Sequence, residues 1–246
     1  MDNKVISKET FRRIVKDVKD IIVEPLIEQN IYYKHDNENI LKGHAMIIGP
    51  KDSCYYNGFF FFEFKFPHNY PWAPPKVIYH TNDGKTRFNP NLYRDGKVCL
   101  SVLNTWKGES WSSCQSIKSV LLTILSTLNN EPLLNEPGIK NTHEDFIIYN
   151  EIITYKSYEH ALIRQYNLNN IFTELFKEDM INYIKKNKDL ILKELSKNNK
   201  LIKEKYKISK PVLSIRIYAF NTNIDYSKLI DLFNNIKIEK IKYISP

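Results

Sequence analysis

The chain has 246 residues, 42% hydrophobic and 26% charged, with a formal net charge of +8. This composition excludes a disordered or low-complexity chain, supports one substantial core, and is compatible with an acidic protein, a nucleic acid or an anionic membrane as partner. Three cysteines without a CxxC pair exclude a disulfide framework and a cysteine-based zinc site. With no run of about 18 apolar residues and no N-terminal signal core, the sequence reads as soluble, intracellular and cytoplasmic, with the nucleus left open.

Residues 8–23 follow helical spacing. Phe11, Ile14, Val15, Val18 and Ile22 are the expected buried stripe, Ser7 is the expected N-cap, and Glu9 suits the positive end of the helix dipole. Arg12, Lys16 and Lys19, with Arg13 beside them, line another face, which spacing alone reads as solvated. Segments 30–35, 41–48, 59–66 and 76–80 are predicted as strands of an antiparallel meander. In the third, Phe60, Phe62, Phe64 and Phe66 alternate with Phe59, Phe61, Glu63 and Lys65. One face must be apolar, and the Glu63–Lys65 end of the other should be wet. Segment 66–75 carries four prolines and reads as a rigid surface loop with Tyr70 packed under it. Trp72 on that loop is either a buried aromatic or an exposed interface anchor.

The segment 87–114, RFNPNLYRDGKVCLSVLNTWKGESWSSC, is the centre of the chain's chemistry. Pro90 fixes its own φ and pushes Asn89 toward extended geometry, so Asn89-Pro90-Asn91 is a turn; Asp95-Gly96 is a second. Cys99 follows Asn91 by eight residues. A thiol beside a fixed amide donor, with no obligatory general base, points to acyl transfer through a thioester. Cys54 and Cys114 have no such surroundings. A cysteine hydrolase needs a Cys–His pair, and His68, His80 and His143 stand in no protease-like context. No HxxxH, EF-hand, GxxxxGK[ST] or GxGxxG pattern exists, so neither a metal nor a bound nucleotide is expected.

Residues 116–128 predict a helix with an apolar stripe of Ile117, Val120, Leu121, Ile124, Leu125 and Leu128. A loop with two prolines and a glycine follows over 129–138. Thr142 and Asp145 resemble a capping box, and the helix after them is expected to break near Ser157 and resume to Tyr166. Beyond 167–170, the pattern predicts helices over 171–184 and 190–206, a strand over 212–220, a helix over 226–233 and a strand over 236–244.

Taken in order, FPHNYPWAPPKV (66–77), NPNLYRDGKVCL (89–100) and the Trp111 element resemble the ubiquitin-conjugating enzymes. In that family a Tyr-Pro-x-x-Pro-Pro loop leads to a His-Pro-Asn turn and then to the active-site cysteine. Here Asn89 stands where most members have His, and the Cys-to-Trp segment is longer. With Asn135-Glu136-Pro137-Gly138, these departures are similar to a long-chain subgroup that includes the conjugating domain of giant inhibitor-of-apoptosis ligases. The resemblance covers roughly residues 7–166.

It implies an α+β fold, a four-stranded antiparallel meander with an N-terminal helix and C-terminal helices. The expected domains are a conjugating core over 1–166 and a mixed, mostly helical extension over 167–246. Cys99 would be the nucleophile, Asn91 the oxyanion donor, and Asn89 the loop scaffold in place of His. Asn135 or Glu136 would be the acidic gate. Arg12, Arg13, Lys16 and Lys19 would meet the activating enzyme, and Trp72, Ser112 and Ser113 the ligase. The implied partners are ubiquitin or a related modifier, the activating enzyme, a ligase and a protein substrate, with no membrane and no nucleic acid. ATP is used by the activating enzyme, so no cofactor is expected here. Two other readings stand beside this one: a catalytically silent scaffold of the same fold, and a nucleic-acid binder. The second lacks aromatic-basic interleaving and a helix-turn-helix cue.

Overall fold

The computed structural model describes residues 6–238. Helix α1 (Lys8–Val23) begins where the Ser7 hydroxyl accepts the Thr10 N–H at 3.0 Å. The face it buries is Thr10, Ile14, Asp17 and Ile21. Of the expected stripe only Ile14 is fully buried; Val18 is half-buried, and Phe11, Val15 and Ile22 face solvent. The rotation has a polar cause. The Thr10 hydroxyl donates to the His68 carbonyl at 2.8 Å. Buried Asp17 accepts from Arg13 Nε at 2.8 Å, from the Ile117 N–H at 3.3 Å and from the Tyr70 hydroxyl. A buried carboxylate must be fully hydrogen-bonded, and that requirement overrides apolar periodicity.

The sheet runs β1 (Ile31–His35), β2 (Lys42–Ile48), β3 (Phe59–Lys65), β4 (Lys76–Tyr79), each antiparallel to its neighbour. Ala45 lies opposite Phe62, which lies opposite Tyr79. Both faces of β3 are covered. On one, Phe60 meets Tyr55 and Phe88 with ring centroids 5.5 and 6.2 Å apart. On the other, Phe61 stacks on Phe172 and Phe176, and Phe59 meets Tyr183 edge-on. Glu63, expected to be wet, is buried as well. It is neutralised by Lys42 and Lys65, each 3.1 Å away, with His80 at 3.6 Å.

Helix α2 (Ile117–Thr127) is capped by a reciprocal Ser116–Ser119 box. Helix α3 (Phe146–Lys156) widens at Ser157 into a π-helical stretch, Ser157–Arg164, and closes with one turn, α4 (Gln165–Asn167), instead of breaking. The capping box expected at Thr142 is absent. The Asp145 carboxylate instead accepts the N–H groups of Arg216 and Ile217, both at 2.9 Å.

Past residue 170, α5 (Ile171–Tyr206) is one helix of 36 residues, although the polar run 185–189 predicts a break. That run holds neither Pro nor Gly, and Ile184 and Ile191, two turns apart, are both fully buried. The strand predicted over 212–220 is a hairpin of β5 (Val212–Ile215) and β6 (Phe220–Asn223), with a turn over 216–219 where Ala219 takes a φ of 47°. Helix α6 (Tyr226–Asn234) then packs on α5. The strand expected over 236–244 falls mostly outside the described residues, and 236–238 are not in a strand. Among the described residues, no helix is long and apolar enough to cross a membrane.

Candidate active site

Cys99 sits in a short segment shaped by side-chain bonds rather than by regular structure. Its N–H donates to the Asn91 carbonyl at 2.9 Å, and its own carbonyl accepts the Asn91 amide at 2.7 Å. Thr105 closes the other side. Its hydroxyl accepts the Leu100 N–H at 2.9 Å and lies 2.9 Å from the Val98 carbonyl. Both peptide units of Cys99 are therefore held, and the residue is 1% exposed.

The NPN turn is anchored from below. Asn89 is buried; its Oδ1 accepts the Asn91 N–H at 2.8 Å, and its amide donates to the Tyr55 hydroxyl and the Thr127 carbonyl at 2.8 and 2.9 Å. Asn89 thus ties the turn to α2 and makes no bond to Cys99. Arg87 lies over the Tyr93 ring, 3.2 Å from its centroid, and donates to the Asn89 and Pro90 carbonyls. The Asn91 amide, expected to await a developing oxyanion, is already committed to the Cys99 carbonyl. Its Oδ1 is buried and has no hydrogen-bond partner among the described residues.

Opposite lies the loop of residues 129–138. Asn135 ends a 3-10 turn, Pro132–Asn135, with its amide nitrogen buried and unpartnered among the described residues. Glu136 accepts the Tyr218 hydroxyl at 2.6 Å. Between this loop and the segment after the cysteine opens a cleft of about 560 Å³, lined by Asn104, Thr105, Trp106, Lys107 and Pro137. No hydrogen bond joins Cys99 to a histidine among the described residues, and there no group of three or more His, Cys, Asp or Glu is placed to hold a metal. Burial pushes the Cys54 thiol well above its ordinary range, and its Sγ faces the Asn129 carbonyl. Cys114 is exposed.

The outlying residues divide. Trp72 is 64% exposed, and Trp111 Nε1–H donates to the Pro71 carbonyl at 2.6 Å, so the loops bearing Trp72 and Ser112–Ser113 adjoin. Arg12, Lys16 and Lys19 face solvent. Arg13 departs from that group. It turns inward to Asp17 and to the Ser113 and Gln115 carbonyls, which removes it from an outward basic face. Sequence reasoning missed Thr105, Arg87 and Tyr218. A hydroxyl six residues past the cysteine was a readable signal; Tyr218, 82 residues from Glu136, left none.

Residues 13–155 match the family model described as "Ubiquitin-conjugating enzyme". The chain belongs to the ubiquitin-conjugating enzyme family. It is 42% identical over 159 residues to "Ubiquitin-conjugating enzyme E2 Z" of Danio rerio, covering 63% of this chain and 48% of that protein. It is 41% identical over 159 residues to the Homo sapiens protein of the same name, covering 63% and 44%. It is 42% identical over 141 residues to "Probable ubiquitin-conjugating enzyme E2 R521" of Acanthamoeba polyphaga mimivirus, covering 55% and 10%. The chain spans about half the length or less of these relatives. The ubiquitin-conjugating match takes in the sheet, the NPN turn, Cys99, the 129–138 loop and nearly all of α3. Helices α5 and α6 and the hairpin lie beyond it.

Proposed function

We propose that this chain accepts ubiquitin, or a ubiquitin-like modifier, as a thioester on Cys99 and passes it to a substrate lysine or to a ligase. The Cys99 sulfur attacks the thioester carbonyl of the loaded activating enzyme. A new C–S bond forms, the donor's C–S bond breaks, and the donor cysteine leaves as its thiol. An amine, or a ligase cysteine, then repeats the exchange. The observation that carries this reading is Cys99 held at both peptide units by Asn91 and by Thr105, which itself lines an open cleft. ATP is consumed by the activating enzyme, so this chain needs no cofactor.

In this reading Arg12, Lys16 and Lys19 face the activating enzyme, Trp72 with Ser112 and Ser113 faces the ligase, and Asn135 or Glu136 guards the acceptor side. Asn91 acts at the oxyanion by turning its amide from the Cys99 carbonyl to the acyl oxygen. The conjugating unit runs over 1–166 and the extension over 167–246, a division supported by a family match ending at residue 155 and by α5 starting at Ile171. The protein works inside the cell, where its partners act. Asn89 in place of His and the long Cys-to-Trp segment support membership of the long-chain subgroup that includes giant inhibitor-of-apoptosis ligases.

The test is incubation with activating enzyme, ATP and a panel of modifiers, read on a non-reducing gel. A reductant-labile adduct on the parent, lost in Cys99→Ala and replaced in Cys99→Ser by a reductant-stable ester, is the expected result. A labile adduct on Cys99→Ala overturns the assignment. The burial of Cys99 favours a second reading, a silent scaffold. That reading requires no adduct with any modifier while the fold is intact.

A further inference from the structure

The hairpin turn of the extension touches both the 129–138 loop and the turn that precedes Cys99. Its backbone is seated on α3, because buried Asp145 accepts the N–H groups of Arg216 and Ile217. Its Tyr218 makes both contacts. The hydroxyl donates to the Glu136 carboxylate at 2.6 Å, on the loop whose Pro137 lines the cleft. The Tyr218 carbonyl accepts Arg94 Nη2 at 2.6 Å, from the turn that precedes Cys99. The Tyr218 ring packs on Tyr149, and the Arg87 guanidinium lies 5.6 Å from its centroid. Arg87 in turn holds the Asn89 and Pro90 carbonyls of the NPN turn. One tyrosine outside the family match thus joins the acidic loop, the pre-cysteine turn and the NPN turn.

We infer that Tyr218 is a positioning residue for acyl transfer: it fixes the Glu136 carboxylate, next to the Pro137 that lines the cleft, and that carboxylate orients the incoming amine. This inference rests on the proposed conjugating activity. An acceptor lysine arrives as a cation and must give up a proton before it attacks. A carboxylate held in one place beside the cleft attracts the cation and aligns the amine; one free to turn does so poorly. Burial, and then the neighbouring Glu136, push the Tyr218 hydroxyl far above its ordinary range, so it stays a donor at any working pH. Loading from the activating enzyme involves no amine, so it does not need the clamp.

Tyr218→Phe removes the hydroxyl and keeps the ring against Tyr149. The full chain is loaded, cleared of activating enzyme and mixed with free lysine at graded concentrations. Expected are parent-like loading and melting, and discharge at low lysine slowed roughly tenfold, the scale of one hydrogen bond to a charged group. The loss should be recovered in part at saturating lysine. Glu136→Gln should be slow as well, and adding Tyr218→Phe to it should cost nothing further, because the tyrosine acts through that carboxylate. Parent-like discharge of Tyr218→Phe overturns the clamp and leaves the conjugating activity standing. Loading, discharge and melting falling together overturn it in favour of a packing role. A parent that forms no thioester defeats the conjugating activity and the clamp with it.

Discussion

The segment around Cys99 and the covered face of the sheet are built on opposite principles. Residues 87–105 contain little regular structure, and directed polar bonds hold them: Asn89 to Tyr55 and Thr127, Asn91 to Cys99, and Thr105 to Val98 and Leu100. The outer face of β3 is held by area, with Phe59 and Phe61 against Phe172, Phe176 and Tyr183 of α5. A polar bond is lost when one atom moves, whereas apolar contact is non-directional and scales with area. Cys99 therefore sits where geometry is tightly set but locally fragile, and the sheet supplies the bulk stability behind it. Substitutions in the two regions should fail differently.

The largest effect is expected at the aromatic face. Phe176 is fully buried, so Phe176→Ala should cost about 3–5 kcal/mol in denaturant unfolding, with a normal thioester yield on whatever remains folded. Ending the chain near Asn169 should uncover Phe59 and Phe61 and cause aggregation; a soluble, monomeric product with parent stability would show that α5 does not support the sheet. Next is Asn91→Ala, which leaves the Cys99 carbonyl without its amide donor at a cost of about 1–3 kcal/mol. If Asn91 mainly holds its loop, loading, discharge and melting temperature fall together. If the amide turns to the oxyanion, single-turnover discharge falls by about 10²–10³ while loading survives.

A smaller, pH-dependent effect is expected at Asp83. Burial disfavours its charge, but the Thr86 and Lys85 N–H groups, the Thr86 hydroxyl and Lys156 outweigh burial and hold the carboxyl at about 2. A carboxyl depressed in the folded state stabilises above its unfolded value, near 3.8, and loses that contribution as pH falls toward 2. Melting temperature should drop through that window for the parent and less steeply for Asp83→Asn. Equal slopes would remove Asp83 from the account. The smallest stability change belongs to Arg12→Glu with Lys16→Glu, both exposed, at about 0.5 kcal/mol or less. Their expected effect is on encounter: slower loading at low salt that fades as salt rises, with discharge unchanged. Salt-independent loading equal to the parent would remove the basic face as a docking surface.

Much of this molecule was legible before any coordinates. Strand alternation over 31–79, the helix over 117–127, the proline-bounded loops and the NPN-to-cysteine spacing are all local, and local patterns are written in neighbouring residues. Cys99 and Asn91 were named by that spacing, and they meet as bonded partners. What local pattern could not supply was which face of a helix turns inward, or which distant group a side chain finds. Asp17 rotates α1 because Tyr70 and the start of α2 come to it, and Arg13 leaves the basic face to follow. Glu63 is buried because Lys42 and Lys65 neutralise it. Asp145 left its capping role for a hairpin more than 70 residues away, and Tyr218 of that hairpin found Glu136. The sequence by itself determined most of the elements and the pairing of Asn91 with Cys99, because propensity, turn chemistry and apolar period act over a few residues. Only the tertiary structure decided the partners of the buried charges and the bond between Tyr218 and Glu136, because those bonds form between segments that meet only once the chain has folded.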